Sequence, residues 1–164
     1  MRPTTKRRLL ILFAVSLALI VGVGGFVMLR MRHLDAVTQQ ERVDGMAAYA
    51  AGRYEAALDQ LSDYVGKNKD DADALYALAV SRSMVSMPNG RHLLTAISYL
   101  NNYLDLRKGD SQGQHKLLEL YTRVRWNPEI LSLSGDILQS APNDLPALRA
   151  KAAALLAQQH LDDA

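Results

Sequence analysis

The amino-acid sequence predicts an all-α protein in which an N-terminal transmembrane helix is followed by an α-α superhelical solenoid. Two observations lead to this prediction. A run of 21 residues without a charge, Leu9–Leu29, lies near the start of the 164-residue chain. The rest of the chain repeats an apolar pattern of helical spacing at intervals of 34 and 39 residues, and no stretch alternates as a half-buried strand does.

The charges are divided unevenly between these two parts. Six of the 19 basic residues precede Asp35, which is the first of the 17 acidic residues. The remainder therefore holds 13 basic and 17 acidic residues, a net charge of −4, and it lacks the basic stripe of a nucleic-acid-binding protein. The chain has no Cys, which excludes disulfide scaffolds, thiolate zinc sites and Cys nucleophiles.

The uncharged run Leu9–Leu29 is long enough to span a bilayer, because as a helix it measures about 31 Å. It exceeds the apolar stretch of about 7–15 residues in a signal peptide, which favours an uncleaved signal anchor. A basic tail, residues 1–8, favours a cytoplasmic N-terminus, although Arg30 and Arg32 weaken the asymmetry. We therefore expect a single-pass membrane protein whose repeats lie on the extracytoplasmic (periplasmic) side.

The repeat is visible at matched positions in pairs of amphipathic helices. Equivalent positions in the first helices, spaced 34, 39 and 34 apart, are occupied by Gly45, Ala79, Leu118 and Ala152. The matched series in the second helices starts at Tyr54, Leu93 and Asn127. The longer interval implies an insertion of five residues between Ala79 and Leu93, where Pro88, Asn89 and Gly90 mark a turn.

Four units follow from this period. They span residues 38–71, 72–110 with the insertion, 111–144 and 145–164, and residues 30–37 form a juxtamembrane linker. Asn127 is predicted to cap a helix before Pro128, and a turn is predicted at Gln159 and His160 before a new helix at Leu161. Because an array normally closes with a polar-faced helix, the incomplete fourth unit leads us to expect that residues 1–164 are the start of a longer protein.

A helix–turn–helix of 34 residues, with a small residue in its first helix and Gly then Tyr at its turn, resembles the tetratricopeptide repeat (TPR). The best match runs from Gly45 through Gly52-Arg53-Tyr54 to Ala57, and the resemblance covers residues 38–164. The units are degenerate, since Leu118, Ile130 and the lysines Lys69 and Lys108 replace the family's usual small residue, Ala and Pro. The resemblance implies stacked helix pairs whose concave groove, lined mainly by first helices, binds a peptide or partner helix.

Transferring that groove onto this sequence gives nine residues on the first helices. They are Arg42, Met46, Tyr49, Tyr76, Val80, His115, Glu119, Arg123 and Arg149. Steps of three and four put the residues of each helix on one face, and Tyr, Arg and His together are typical of contact surfaces. Ordinary packing or solvation is the competing explanation for each residue alone. The family's carboxylate clamp is not predicted, because Arg42 and Met46 stand where it has Lys and Asn.

Nothing in the sequence indicates catalysis. His115 and Glu119 are four residues apart on one predicted helix but lack a third ligand, so we predict neither a metal site nor a cofactor. The favoured function is a membrane-anchored scaffold, not an enzyme, for protein or peptide partners, with no nucleic acid bound. Two alternatives stay open: a docking arm of an enzyme whose catalytic domain lies beyond residue 164, and a secreted repeat protein. Weak self-association also stays open, because small residues recur at Ala14, Ala18 and Gly22.

Overall fold

The computed structural model describes residue 30 and residues 37–162, with side chains up to residue 159. The predicted anchor Leu9–Leu29 and most of the predicted linker lie outside the described residues. Within the part that is described, no helix is both long enough and apolar enough to cross a membrane.

Helices account for most of residues 37–162, and no strand occurs among them, as the all-α prediction requires. The first helices of the units are α1 (residues 37–50), α3 (Ala72–Met84), α5 (Ser111–Val124) and α7 (Leu145–Asp162). The second helices are α2 (Tyr54–Lys67), α4 (Arg91–Leu106) and α6 (Asn127–Ser140). One turn of 3-10 helix, Pro88–Gly90, precedes α4.

The second helices form because apolar side chains recur at helical spacing and are buried against their neighbours. α2 buries Ala57, Leu58, Leu61, Tyr64 and Val65, and α4 buries Ala96, Ile97, Leu100 and Tyr103. α1 approaches α2 closely at Gly45, where a Cβ atom would lie 2.6 Å from Leu61 Cγ. The close approach of Leu61 therefore explains why the repeat has a small residue at this position.

Two boundaries predicted from the sequence were wrong, namely the turn at Gln159 and the helix cap at Asn127. Gly52 and Arg125 occupy equivalent positions after α1 and α5, and both have a positive φ, of 70° and 57°. The next equivalent residue is Gln159, where the predicted turn does not form and α7 continues to Asp162. Gln favours helix over the left-handed region, so helix propensity prevails. Asn127 is the first residue of α6 rather than its cap, because Trp126 occupies the N-cap position.

Each helix from α2 onward packs on the next helix in the chain. The first helices α3, α5 and α7 also contact one another in sequence, whereas the second helices α2, α4 and α6 do not contact each other within the described residues. The spacing between units is thus smaller on the side of the first helices. Residues 54–162 therefore curve toward α3, α5 and α7, which line the inner side of the curve.

Burial distinguishes core leucines from surface leucines on the same helix. Leu100 on α4 is completely buried, whereas Leu94 is 47% exposed. We predict that Leu100→Ala lowers the free energy of unfolding by about 2–5 kcal/mol, because it leaves a cavity. Leu94→Ala should change it by less than about 0.5 kcal/mol. Urea denaturation followed by circular dichroism compares the two variants, and equal losses would contradict the packing described here.

Candidate functional site

The predicted groove residues fall into rows at equivalent positions of the repeat. Arg42, Tyr76, His115 and Arg149 form one row, in which the last three are each the fifth residue of their helix. Met46, Val80 and Glu119 form a second row, four residues further along each helix. Tyr49 and Arg123 lie one turn beyond the second row. The structure gives these rows different environments.

The first row begins at Arg42, which is held by the capping residue of the next first helix. Asp71 is the N-cap of α3, and its Oδ1 accepts a hydrogen bond from the backbone N–H of Ala74 at 3.0 Å. Its Oδ2 accepts from Arg42 Nε at 2.6 Å and from the Tyr64 hydroxyl at 2.9 Å. One carboxylate therefore joins α1 and α2 to the start of α3. We call Arg42, Tyr64 and Asp71 junction 1.

Tyr76 occupies the position of Arg42 one unit later, at a junction of the same design. Asp110 is the N-cap of α5 and accepts from the N–H of Gly113 at 2.7 Å. The Tyr103 hydroxyl donates to the same carboxylate, and the Tyr76 ring packs on the Tyr103 ring with centroids 5.2 Å apart. An aromatic pair thus replaces the ion pair. Tyr76, Tyr103 and Asp110 are junction 2.

His115 completes the series at the start of the fourth unit. Asp144 precedes α7, and its Oδ1 accepts from the N–H of Ala147 at 2.9 Å. Its Oδ2 lies 2.8 Å from His115 Nε2. His115 and Asp144 are junction 3, and His115 is therefore bound across units rather than paired with Glu119 on its own helix. No group of three His, Asp or Glu residues that could hold a metal ion occurs in the described part of the chain.

These contacts shift the pKa values of the groups that form them. Burial alone raises the pKa of Asp71, but its hydrogen-bond donors, led by Arg42, outweigh burial and lower that pKa below its usual value. The pKa of Asp144 is also lowered, chiefly by the N–H of Ala147. Burial, followed by the bond to Asp110, raises the pKa of Tyr103 to about 12. These contacts therefore favour ionised Asp71 and Asp144 and a protonated Tyr103 at neutral pH.

The remaining groove residues change in character from one end of the array to the other. Met46 and Tyr49 are half-buried on α1, as is Val80 on α3, and the first two pack against the core. Glu119 and Arg123 on α5 are more exposed, at 49% and 40% of their side chains. We call these five residues the inner face. It is apolar at α1 and α3 and charged at α5.

The charged end of the inner face is fixed by contacts within and between helices. Glu119 accepts from Lys116 Nζ at 2.8 Å and lies 3.9 Å from Arg123. Arg123 Nη1 also donates to the backbone carbonyl of Ser83 at 3.3 Å, which connects α5 to α3. The two charges are therefore presented in a defined position rather than on freely rotating side chains.

Arg149 differs from the rest of its row. It is exposed, and it forms no hydrogen bond or ion pair with any side chain that the structure describes. The sequence interpretation missed the partners of that row, namely Asp71, Asp110 and Asp144. Their spacing of 39 and 34 residues is the interval of the repeat, and this signal would have identified them as equivalent positions.

Junction 1 makes stability depend on pH in a defined direction. Because the pKa of Asp71 is lowered in the folded protein, its contribution is complete above the unfolded pKa and is lost as pH falls through the folded pKa. Asn caps helices about as well as Asp, so Asp71→Asn removes mainly the charge. We predict that it costs about 1 kcal/mol at neutral pH, given the partly exposed partner.

The difference between wild type and Asp71→Asn should shrink as the pH is lowered through the acidic range. Unfolding free energies measured by urea denaturation at a series of pH values test this. Asp105→Asn on the exposed surface of α4 is the matched control and should show no such trend. A difference that grows on acidification would contradict the contacts at junction 1.

No protein-family model and no curated protein matches this chain. Solved structures do match it. MamA from Desulfovibrio magneticus RS-1, residue 41 to the end, has a TM-score of 0.62 at 17% identity, over 77% of this chain and 68% of that chain. The MamA RS-1 ArsTM double mutant has a TM-score of 0.63 with the same identity and coverage. MamA is a TPR-repeat protein. At this identity the likeness shows the fold alone, and that fold is TPR-like.

Proposed function

We propose that this protein is a membrane-anchored TPR-like scaffold that binds protein or peptide partners on its inner face. The observation that carries the proposal is that, in the described part of the chain, α3, α5 and α7 contact one another in sequence while α2, α4 and α6 do not. The array therefore curves around the side chains of its first helices. A surface on the inner side of a curve can surround an extended peptide or a helix, which a convex surface cannot do.

The composition of the inner face indicates the kind of partner. Met46, Tyr49 and Val80 offer half-buried apolar surface, and Met is suited to adaptable contacts. Glu119 and Arg123 offer opposite charges about one helical turn apart. A complementary segment has apolar side chains at one end and polar or charged groups at the other. We infer that a partner peptide lies across α1, α3 and α5.

The anchor remains part of the proposal on the basis of the sequence. The uncharged run Leu9–Leu29 and the basic tail before it support one membrane span with a cytoplasmic N-terminus. The repeats then lie on the extracytoplasmic side. A tether of this kind would concentrate partners of the inner face at the membrane surface.

Exchanging the two charges of the inner face tests the binding surface. The double variant Glu119→Arg with Arg123→Glu keeps an ion pair at four-residue spacing but loses the bonds of Glu119 to Lys116 and of Arg123 to the Ser83 carbonyl, so it should lower the free energy of unfolding by about 1–2 kcal/mol, and thermal unfolding checks that it stays folded. It inverts the charges that a partner meets. We expect the amount of the main co-purifying protein to fall about tenfold or more, because like charges then face each other.

Asp105→Lys serves as the matched control, since it reverses an exposed charge on a second helix. Quantitative mass spectrometry after affinity purification of the full chain compares the variants. Loss of the same protein with Asp105→Lys, and its retention with the exchanged pair, would place binding on the other side of the array. Tyr76→Ala is unsuitable here, because Tyr76 packs against both hydrophobic clusters.

The anchor is tested separately by alkaline extraction of membranes. The full-mass protein should stay in the membrane pellet, and protease should reach the repeats only from the extracytoplasmic side. Leu17→Lys with Ile20→Lys should release it, because each central Lys costs about 2.5–3.5 kcal/mol of insertion free energy. A mature N-terminus near Gly25 would instead show that the run is a cleaved signal peptide.

A further inference from the structure

One end of the helices differs in charge from the other. Because successive helices pack antiparallel across short turns, the connections from each first helix to its second helix lie at the same end. With the adjoining turns of helix they comprise residues 47–57, 81–94 and 121–130, which hold five arginines and two glutamates, a net charge of +3. The equivalent stretches at the other end, which run from the last turn of each second helix to the first turn of the next first helix, hold four basic and six acidic residues, a net charge of −2. We call the first of these the basic end.

The three connections of the basic end form one continuous surface. Arg53 of the first connection lines a cavity of about 490 Å³ together with Met84 and Val85 of the second. Arg123 Nη1 donates to the backbone carbonyl of Ser83 at 3.3 Å, which joins the second connection to the third. Repeat units stack on the units before and after them, so further units extend this surface sideways and do not cover it.

Three arginines of the basic end are exposed, one in each connection. Arg53, Arg91 and Arg125 form no ion pair and no side-chain hydrogen bond with any residue that the structure describes. At the other end, by contrast, Lys67 and Arg107 are paired with carboxylates at 3.4 Å and 3.6 Å. The charge of the basic end is thus free to meet an anionic surface.

Arg125 keeps its charge at this surface in a disfavoured backbone conformation. Its φ of 57° lies in the left-handed region, where the equivalent residue of the first unit is Gly52. A side chain with a Cβ atom is disfavoured there, and glycine is the usual occupant. An arginine at this position therefore indicates that its side chain has a role beyond forming the turn.

Large apolar side chains lie among these arginines. Met84, Met87 and Trp126 are 52%, 41% and 39% exposed. The insertion holds Met87 in a fixed place, because its N–H donates to His92 Nδ1 at 3.2 Å and its sulfur accepts from Arg82 Nη1 at 3.6 Å. Exposed apolar side chains, a Trp among them, next to unpaired arginines are typical of surfaces that lie at a membrane–water interface.

We propose that the basic end docks on the surface of a bilayer that contains anionic lipids. The three exposed arginines pair with lipid phosphates, and Met84, Met87 and Trp126 enter the layer between the headgroups and the acyl chains. An anionic surface repels the opposite end, so the difference in charge also sets the orientation. None of these six residues belongs to the inner face. The inference goes beyond the partner binding proposed above and rests on the proposed anchor only for the presence of a bilayer nearby.

The chain between the proposed anchor and α1 is long enough for this orientation. α1 begins at the end opposite to the basic end, and its 14 residues (37–50) place the two ends about 21 Å apart. The seven peptide units from Arg30 to residue 37 can extend over about 25 Å. The basic end can therefore lie on the same bilayer that holds Leu9–Leu29.

Trp126 is the only tryptophan of the chain, so its fluorescence reports directly on the basic end. The full chain is reconstituted in vesicles of phosphatidylcholine alone, or of an equimolar mixture with phosphatidylglycerol, with acyl-chain-brominated lipid as the quencher. We expect quenching and a blue shift of Trp126 emission in the anionic vesicles only, and raised salt should reverse both. Equal quenching in both kinds of vesicle would overturn the proposal. So would its absence from both, which is the result expected if the basic end binds an acidic protein instead.

Matched pairs of substitutions test the charges. Arg53→Gln with Arg125→Gln should lower the ratio of docked to undocked protein about 25-fold, since each Arg near an anionic surface contributes a factor of about five. Lys69→Gln with Lys108→Gln removes the same charge from exposed positions at the other end and should leave the ratio unchanged. All four side chains lack partners among the described residues, so the midpoint of thermal unfolding should stay the same. Equal loss of docking with both pairs would overturn the proposal.

The apolar contact has its own matched pair. Met87 and Leu106 are 41% and 42% exposed, at the basic end and at the other end. Met87→Ser should lower the docked ratio about fourfold, the factor for one methylene group removed from water. Leu106→Ser should not change it. The reverse result would place the membrane contact at the other end.

The anchor and the docking of the basic end can fail independently. A chain that resists alkaline extraction while Trp126 stays unquenched is anchored but not docked, which overturns this inference alone. A chain that alkaline extraction releases, but whose Trp126 is quenched in anionic vesicles, is docked but not anchored. Retention of the inner-face partner by Met87→Ser would show that the two surfaces act separately.

Discussion

Each first helix after α1 begins with an aspartate that performs two tasks, and the register of the array depends on it. Asp71, Asp110 and Asp144 satisfy backbone N–H groups that would otherwise lack partners at a helix start. The same carboxylates accept hydrogen bonds from the preceding unit. A helix displaced by one turn would keep its own cap but would lose the bonds to the preceding unit. The cap therefore also aligns neighbouring units, which apolar packing alone specifies only loosely.

This arrangement separates structural from binding roles on the first helices. Arg42, Tyr76 and His115 have the composition of a contact surface. Yet Arg42 and His115 each bind the aspartate at the next helix start, and Tyr76 packs on Tyr103 of its own unit. The adjoining row, with Met46, Val80 and Glu119, makes no contact with these capping aspartates, and its side chains vary from apolar to charged. A binding surface can change its side chains freely only at positions on which the stacking of the repeat units does not depend. The repeat supplies both rows from the same helices.

Sequence periodicity was sufficient to predict an all-α chain of paired helices, because helical spacing and interval survive substitution. The partners of individual side chains were not predictable in this way. Asp71 reads locally as an acid at a helix start, and nothing near it in the chain indicates that Arg42 lies within reach. At Gln159 the interval suggested a turn, but the residue lacks the conformational freedom of Gly52. Intervals locate elements, whereas side-chain chemistry decides what each position does.

The three junctions differ in the chemistry of their contacts, and this difference is related to the five-residue insertion between α3 and α4. Junction 1 holds an ion pair and junction 3 a His–Asp hydrogen bond, whereas junction 2 contains the tilted ring pair of Tyr76 and Tyr103. Those rings require space, and Gly113 provides it, since a Cβ atom there would lie 2.5 Å from the Tyr103 ring. The corresponding residues at the other junctions are alanines. The five-residue insertion lies between α3 and α4, the helices that carry the two rings. The ring contact therefore joins the two helices that have the longest connection. Because this contact is uncharged, salt does not screen it. Junction 2 thus includes a ring contact where junction 1 has an ion pair.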